Sequence, residues 1–98
     1  TDLTVTYGKA DAPIVIDEYA SLSCSHCADF HKTVLPELKK RYIDTGKVRL
    51  VTHSFVRNEP DLRGTMLLTC LDDQEQRQQF AKVLFEMQEQ WAYAEDVE

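Results

Sequence analysis

Two cysteines separated by two residues, Cys24-Ser25-His26-Cys27, stand between an apolar run from Ile14 to Tyr19 and a helix-like run from Ala28 to Tyr42. This junction restricts the fold more than any other feature of the chain. The run before it is rich in β-branched residues and predicts a strand; the run after it repeats apolar residues at helical spacing. The first cysteine therefore falls at a helix N-terminus, where unpaired backbone N–H groups and the helix dipole favour a thiolate. Such a pair can close a disulfide and reopen it within one turn of backbone, and beside a βαβ pattern it points to thiol–disulfide exchange.

The flanking pattern extends this reading. Leu3 to Tyr7 alternates apolar and polar residues as a short strand does, and Gly8 to Pro13 reads as a turn. Ile14 to Tyr19 carries apolar residues on both faces, as expected of a strand covered on both sides. Alternation puts Glu18 on the face of Ile14 and Ile16. Cys27, His31, Val34, Leu35, Leu38 and Tyr42 recur at helical spacing. Lys39, Lys40 and Arg41 suit the last turn of that helix and Gly46 its stop. Pro36 lies inside it and predicts a kink, because it removes a backbone donor and crowds the carbonyl of Lys32. Val48 to Val56 is the next strand, and strand, helix, strand in this order predict a right-handed βαβ unit with parallel strands. Pro60 fits a further helix start, with Leu62, Met66, Thr69 and Cys70 on one face. Asp72 with Glu75 resembles a capping box, and Phe80, Val83, Leu84, Met87 and Trp91 form an apolar stripe expected to be core.

Ninety-eight residues can bury one modest core. A net charge of −6 without a basic stripe argues against a nucleic-acid partner. No apolar run reaches the length of a bilayer span, so direct membrane insertion is not expected. No signal peptide stands at Thr1, so an export signal has been removed or was never there. Three cysteines are an odd number, which in an oxidising compartment leaves Cys70 without a partner in this chain. The plain reading of Cys70 is a buried, inert small hydrophobe.

Exchange requires a thiolate that attacks a disulfide sulfur. Cys24 is the candidate nucleophile and Cys27, one turn further into the helix, the more buried resolving thiol. A protonated His26 would add a positive charge beside Cys24. Glu18 has two readings. It is a strand-end carboxylate reaching water, or it lies beneath the cysteines, has its pKa raised by desolvation and relays the proton of Cys27. The cysteine pair also has alternatives: a structural disulfide, or half of a zinc site completed by His31 and His53. His31, on the helix stripe, is read as a packed or hydrogen-bonded core histidine, and His53 is uninformative.

Taken together these residues resemble the DsbA-type thiol–disulfide oxidoreductases of the thioredoxin superfamily. Asp11 to Tyr19 looks like that family's first core strand, Cys24-Ser25-His26-Cys27 followed by Phe30 and His31 like its active site, and Leu84 to Trp91 like a helix of its inserted helical domain. The resemblance implies an α/β, thioredoxin-like half over residues 1–57 and the start of the inserted helical domain over 58–98. It implies a periplasmic or otherwise exported enzyme that introduces disulfides into reduced secreted proteins, with a membrane quinone-linked protein as re-oxidant and no cofactor. By residue match Cys24 is the nucleophile, Cys27 the resolving thiol, His26 a stabiliser of the thiolate and Glu18 the buried glutamate. In the family a strongly lowered thiolate pKa favours the dithiol and makes the disulfide a strong oxidant. Ser25 stands where the family most often has proline, which leaves an isomerase or reductase of the same fold as the alternative. A thioredoxin fold continues with a β-hairpin, a cis-proline and a closing helix. Pro13, Pro36 and Pro60 do not match that cis-proline, so the chain is expected to be the N-terminal part of a longer enzyme, with an incomplete sheet and an open apolar edge. The same resemblance places any disulfide partner of Cys70 beyond Glu98.

Overall fold

β-branched and aromatic residues build three short strands in the computed structural model, which describes residues 3–92. They are β1 (Thr4–Tyr7), β2 (Ile14–Ala20) and β3 (Val48–Ser54). β3 lies between the other two, in the order β1-β3-β2. β2 runs parallel to it, from Ile14 opposite Val48 to Ala20 opposite Ser54. β1 runs antiparallel, from Thr4 opposite His53 to Tyr7 opposite Leu50. Two parallel neighbours need a long crossover, and the helical run between β2 and β3 supplies it. The βαβ unit expected from the sequence is present, in an α/β fold.

The crossover begins as α1 (Ser25–Asp29) and passes through a π-helical turn (Phe30–Val34), α2 (Leu35–Leu38) and a second π-helical turn (Lys39–Ile43). Beside Pro36, where the sequence predicts a kink, the first wider turn ends immediately before α2, with the N–H of Leu35 donating to the carbonyl of Phe30, five residues back. Pro36 has no N–H to donate, and proline and wider turns are both recognised sites of helix bending. Gly46, at φ +86, donates to the carbonyl of Ile43 at 3.0 Å and ends the run. Gly8, at φ +103, lets β1 turn so close to β3 that a Cβ there would lie 2.7 Å from the carbonyl oxygen of Val48.

α3 (Glu59–Thr69), α4 (Gln74–Glu86) and α5 (Gln88–Trp91) follow. One apolar cluster joins Val5, Tyr7, Leu35, Ile43, Val48, Leu50, Leu68 and Ala81. Burying a side chain such as Leu50 or Leu68 contributes about 1.5–3 kcal/mol. A second cluster, Leu22, Ala28 and Phe85 with Cys27, Leu84 and Trp91 against it, lies behind the cysteine pair.

Several faces differ from the sequence reading. In α3 the buried residues are Asp61, Gly64, Thr65 and Leu68, while Leu62, Met66 and Cys70 are exposed. In α4 and α5 they are Arg77, Ala81, Phe85 and Gln88; Phe80, Leu84 and Trp91 are half-buried, and Val83 and Met87 are exposed. Val34 and Tyr42 also lie outside the core. The cap of α4 is Asp73, whose side chain accepts from the N–H of Glu75, and not Asp72. β3 ends at Ser54, leaving Phe55 and Val56 exposed beyond it. β2 is not covered on both sides: Ile14, Val15, Ile16 and Tyr19 are all exposed, because among the described residues only β3 pairs with it.

The polar buried face of α4 has a physical purpose. β1 turns backbone groups away from β3, and these need partners when covered. Gln74 Oε1 accepts from the N–H of Thr6 at 2.9 Å. Gln78 Nε2 donates to the carbonyl of Thr6. Arg77 donates to the carbonyls of Thr4, at 2.7 Å, and Leu71, at 2.8 Å. An apolar stripe in their place would leave these groups unpaired. Arg77→Met in the full-length protein is therefore expected to lower stability by about 1–3 kcal/mol, the cost of buried carbonyls that lose their guanidinium donor. Urea denaturation measures this, and an unchanged midpoint would show that water replaces the guanidinium without cost.

Candidate active site

Cys24 is the N-cap of α1, with extended backbone at φ −82 and ψ 122. Its N–H donates to the carbonyl of Ser21 at 3.1 Å, and its carbonyl accepts from Ala28 at 3.0 Å. Its Sγ accepts from the N–H of Cys27 at 3.4 Å, as a serine or aspartate oxygen does at other caps. Both cysteines are free, half-buried thiols.

Their acidities are displaced in opposite directions. At Cys24 partial desolvation opposes ionisation, but it is outweighed by the N–H and thiol of Cys27, the N–H of His26 and the charge of Arg57, so the pKa falls below that of a free thiol. At Cys27 desolvation, the Cys24 sulfur and the charge of Glu18 together push the thiol up to about 11, against a backbone hydrogen bond from Ser21. Ser25 and His26 are both exposed. The contribution of His26 visible in the geometry is its backbone N–H, one of the backbone donors expected around the thiolate.

Glu18 lies on the helix-facing side of the sheet, its side chain 17% exposed. Its Oε1 accepts from Thr52 Oγ1 at 2.8 Å and lies 3.1 Å from Nε2 of His31. His31 is the packed, hydrogen-bonded histidine expected, stacked on Phe85 at 4.4 Å between ring centroids. Tyr7, close by, has its phenol raised well above the usual range by burial and by the charge of Glu18. His53 is on the opposite face, 3.0 Å from Asp17 and stacked on Tyr19. The two histidines thus face separate carboxylates, and no group of three His, Cys, Asp or Glu side chains suited to a metal forms among the described residues. Cys70, at the C-cap of α3, is exposed where the sequence suggested burial.

Other site residues carried no motif in the sequence. The loop into Cys24 is held by Asp61, which is fully buried. Asp61 accepts from Ser21 Oγ, from the N–H of Ser23 at 2.7 Å and from the N–H of Arg57 at 3.1 Å. Arg57 Nε donates to Ser21 Oγ at 3.1 Å. Gln88 Nε2 donates to the carbonyls of Leu22, at 2.8 Å, and Cys24, at 3.0 Å. A cleft of about 340 Å³, lined by Ser25, Ala28, Lys32 and the stretch from Phe85 to Gln90, opens beside α1. The spacing of Arg57 and Asp61, four apart at a strand-to-helix junction, was the one available signal, and it is shared by many surface pairs.

Comparison with known proteins agrees with this geometry. The family model described as Thioredoxin matches residues 1–98. The chain belongs to the thioredoxin family. The crystal structure of Wolbachia pipientis alpha-DsbA1 is similar at a TM-score of 0.85 and 39% identity, over 92% of this chain and 45% of that one. A Rickettsia felis protein named "Putative protein-disulfide oxidoreductase" is 37% identical over 95% of this chain and 34% of its own length. The protein-disulfide isomerase of Novosphingobium aromaticivorans, at 23% identity, shares the fold at a TM-score of 0.85, over 92% of this chain and 45% of that one. This member of the thioredoxin family, whose solved neighbours include DsbA-type proteins, spans about a third of the curated relative and 45% of each of the two solved structures named above.

The opposed acidities make a direct test. In the reduced full-length protein, Cys24 is expected to alkylate with a midpoint below the free-thiol value of about 8.5, and Cys27 only near 11. The signs of the linked stability also differ. The contribution of Cys24, whose pKa is lowered by folding, is present above the pKa of the unfolded thiol and is lost as pH falls through the folded value. That of Cys27 is complete below the unfolded pKa and lost as pH rises through about 11. Mass spectrometry of alkylated peptides across pH reads both midpoints; one shared midpoint near the free-thiol value would refute the asymmetry.

Proposed function

We propose that the protein is a DsbA-like thiol:disulfide oxidoreductase that introduces disulfides into exported proteins through Cys24 and Cys27. The observation that carries this reading is one motif holding one thiol made acidic by a helix N-terminus and one kept protonated by burial. In the oxidising direction a substrate thiolate attacks Sγ of Cys24, and the Cys24–Cys27 bond breaks. Cys27 leaves as a thiolate and takes a proton, which its raised pKa favours. A second substrate thiolate then attacks the substrate sulfur of the mixed disulfide. The substrate disulfide forms, and Cys24 departs as the stabilised thiolate, an efficient leaving group. Two electrons have passed from the substrate dithiol to the protein disulfide.

In the reverse direction Cys27 is the resolving thiol. It must lose its proton to attack the mixed disulfide on Cys24 and release the substrate. Glu18, whose charge is felt at Cys27, is the relay we assign to that proton, with Thr52 and His31 holding its carboxylate. His26 serves Cys24 through its N–H, and Ser25, exposed at the first helical position, tunes the thiolate through the turn.

Reduced secreted proteins as substrates, a membrane quinone-linked re-oxidant and a periplasmic or otherwise exported setting follow from the likeness to DsbA-type proteins. Among the described residues no helix is long and apolar enough to cross a membrane. Residues 58–98 are read as the start of the inserted helical domain, and 93–98 lie outside the described residues. Ser25 in place of proline favours a second reading, an isomerase or reductase of the same fold. The equilibrium with glutathione separates them: an oxidant holds the dithiol form strongly, a reductase the disulfide.

Cys27→Ser in the full-length protein is expected to accumulate a mixed disulfide at Cys24, and Cys24→Ser to form none. Non-reducing electrophoresis with a reduced model substrate checks both, and equal trapping by the two variants would reject the assignment. Glu18→Gln separates relay from charge. Loss of the charge alone lowers the pKa of Cys27 and speeds resolution, whereas loss of a relay slows it, on the order of a hundredfold for general acid–base catalysis. Single-turnover release from the mixed disulfide is expected to slow; a faster release would remove Glu18 from the proton path.

A further inference from the structure

We infer that Arg57 is a positioning residue for the exchange proposed above: anchored by Asp61, Ser21 and Ser23, it adds a fixed positive charge to the stabilisation of the Cys24 thiolate. The anchoring is dense. Arg57 Nε donates to Ser21 Oγ at 3.1 Å and Nη2 to Ser23 Oγ at 3.3 Å. Nε lies 4.0 Å from Oδ2 of Asp61. Asn58, the N-cap of α3, donates from Nδ2 to Ser23 Oγ at 3.0 Å and accepts the N–H of Asp61 at 2.9 Å. Ser21 in turn takes the N–H of Cys24 on its carbonyl. The guanidinium is thus tied to the same three-residue loop that fixes the sulfur.

A purely structural use of Asp61 does not need that guanidinium. The carboxylate already has the Ser21 hydroxyl and the N–H groups of Ser23 and Arg57. The Arg57 side chain is 47% exposed, and holding so long a chain still costs entropy. Its consequence falls on Cys24, where its positive charge lowers the thiol's pKa alongside Cys27 and the N–H of His26. A thiol carries no charge and a thiolate carries one, so a fixed cation favours the reduced, ionised form. An arginine stays charged wherever thiols titrate, so its effect does not fade with pH.

The test uses the full-length protein and two readouts. One is the pH midpoint of Cys24 alkylation. The other is the equilibrium in which the protein disulfide and two glutathione thiols give the protein dithiol and glutathione disulfide. Arg57→Gln is expected to raise the midpoint and to lower that equilibrium constant about three- to tenfold, with Arg57→Lys between it and the unaltered protein. Arg63→Gln, which removes an exposed cation paired with Glu59 on α3, is the control and is expected to leave both readouts in place. Where Arg57→Gln does not fold, Ser23→Ala, which removes one anchor of the guanidinium and keeps its charge, is expected to move both in the same direction by less. Unmoved readouts in these variants, or an equal shift in Arg63→Gln, overturn the inference. Absence of glutathione exchange in the unaltered protein overturns the function instead, while the alkylation midpoint still decides the role of Arg57.

Discussion

A helix begins with backbone N–H groups that have no acceptor within the helix, and at the head of the crossover that acceptor is a sulfur. Sγ of Cys24 takes the N–H of Cys27. A sulfur anion is a better acceptor at this place than a neutral thiol, so the cap itself selects the ionised state. Keeping the sulfur there requires that the residues before it cannot drift. Their polar groups are used for that: Ser21 and Ser23 on Asp61, and the carbonyls of Leu22 and Cys24 on Gln88. The chemistry at Cys24 is inherited from a loop pinned by helices more than thirty residues further along the chain.

The second thiol is governed by what lies beneath it. Cys27 packs against Leu22, Ala28 and Phe85, surroundings that disfavour an anion. Glu18 adds negative charge from the same side. The two sulfurs share one turn of helix yet experience opposite fields, one from the backbone donors and Arg57, the other from apolar packing and a carboxylate. A disulfide spanning that difference gives up Cys24 as thiolate and Cys27 as thiol on reduction, and both products are in their preferred state.

Local signals were legible in the sequence and long-range polar ones were not. The Cys24 cap, both parallel strands, the stop at Gly46 and the packed His31 each follow from a pattern a few residues wide. The failures fall on α3 and α4. Helical period shows that a helix has faces, but residues such as Leu62, Met66, Val83 and Met87 mark an apolar face whether or not anything covers it. What decides is the partner, and here the partners are backbone groups of β1 and of the loop before Cys24. These demand hydrogen-bond donors and acceptors, which is why Asp61, Arg77 and Gln88 are buried in positions where an apolar stripe was expected. The partners they find on β1 and in the loop before Cys24 lie 38 to 73 residues away in sequence, beyond the reach of any local motif. Cys70 was misplaced for the same reason, since its burial was inferred from the neighbouring stripe.

Register explains how such distant groups meet. β2 and β3 are parallel neighbours with Ala20 opposite Ser54, and the N–H of Phe55 extends the ladder by one bond to the carbonyl of Ala20 at 2.9 Å. The loop from Ser21 to Cys24 and the segment from Phe55 to Arg57 therefore leave the sheet side by side at the C-terminal ends of two parallel strands. That end is where open α/β sheets build their sites, because loops from adjacent strands converge there. A slip of one residue between β2 and β3 would turn Glu18 from the helix-facing side to the open one and carry Ser21 away from Arg57. Glu18 beneath the cysteines and Arg57 beside them are thus two consequences of one pairing. The electrostatics of both thiols are fixed in the sheet before either cysteine is reached.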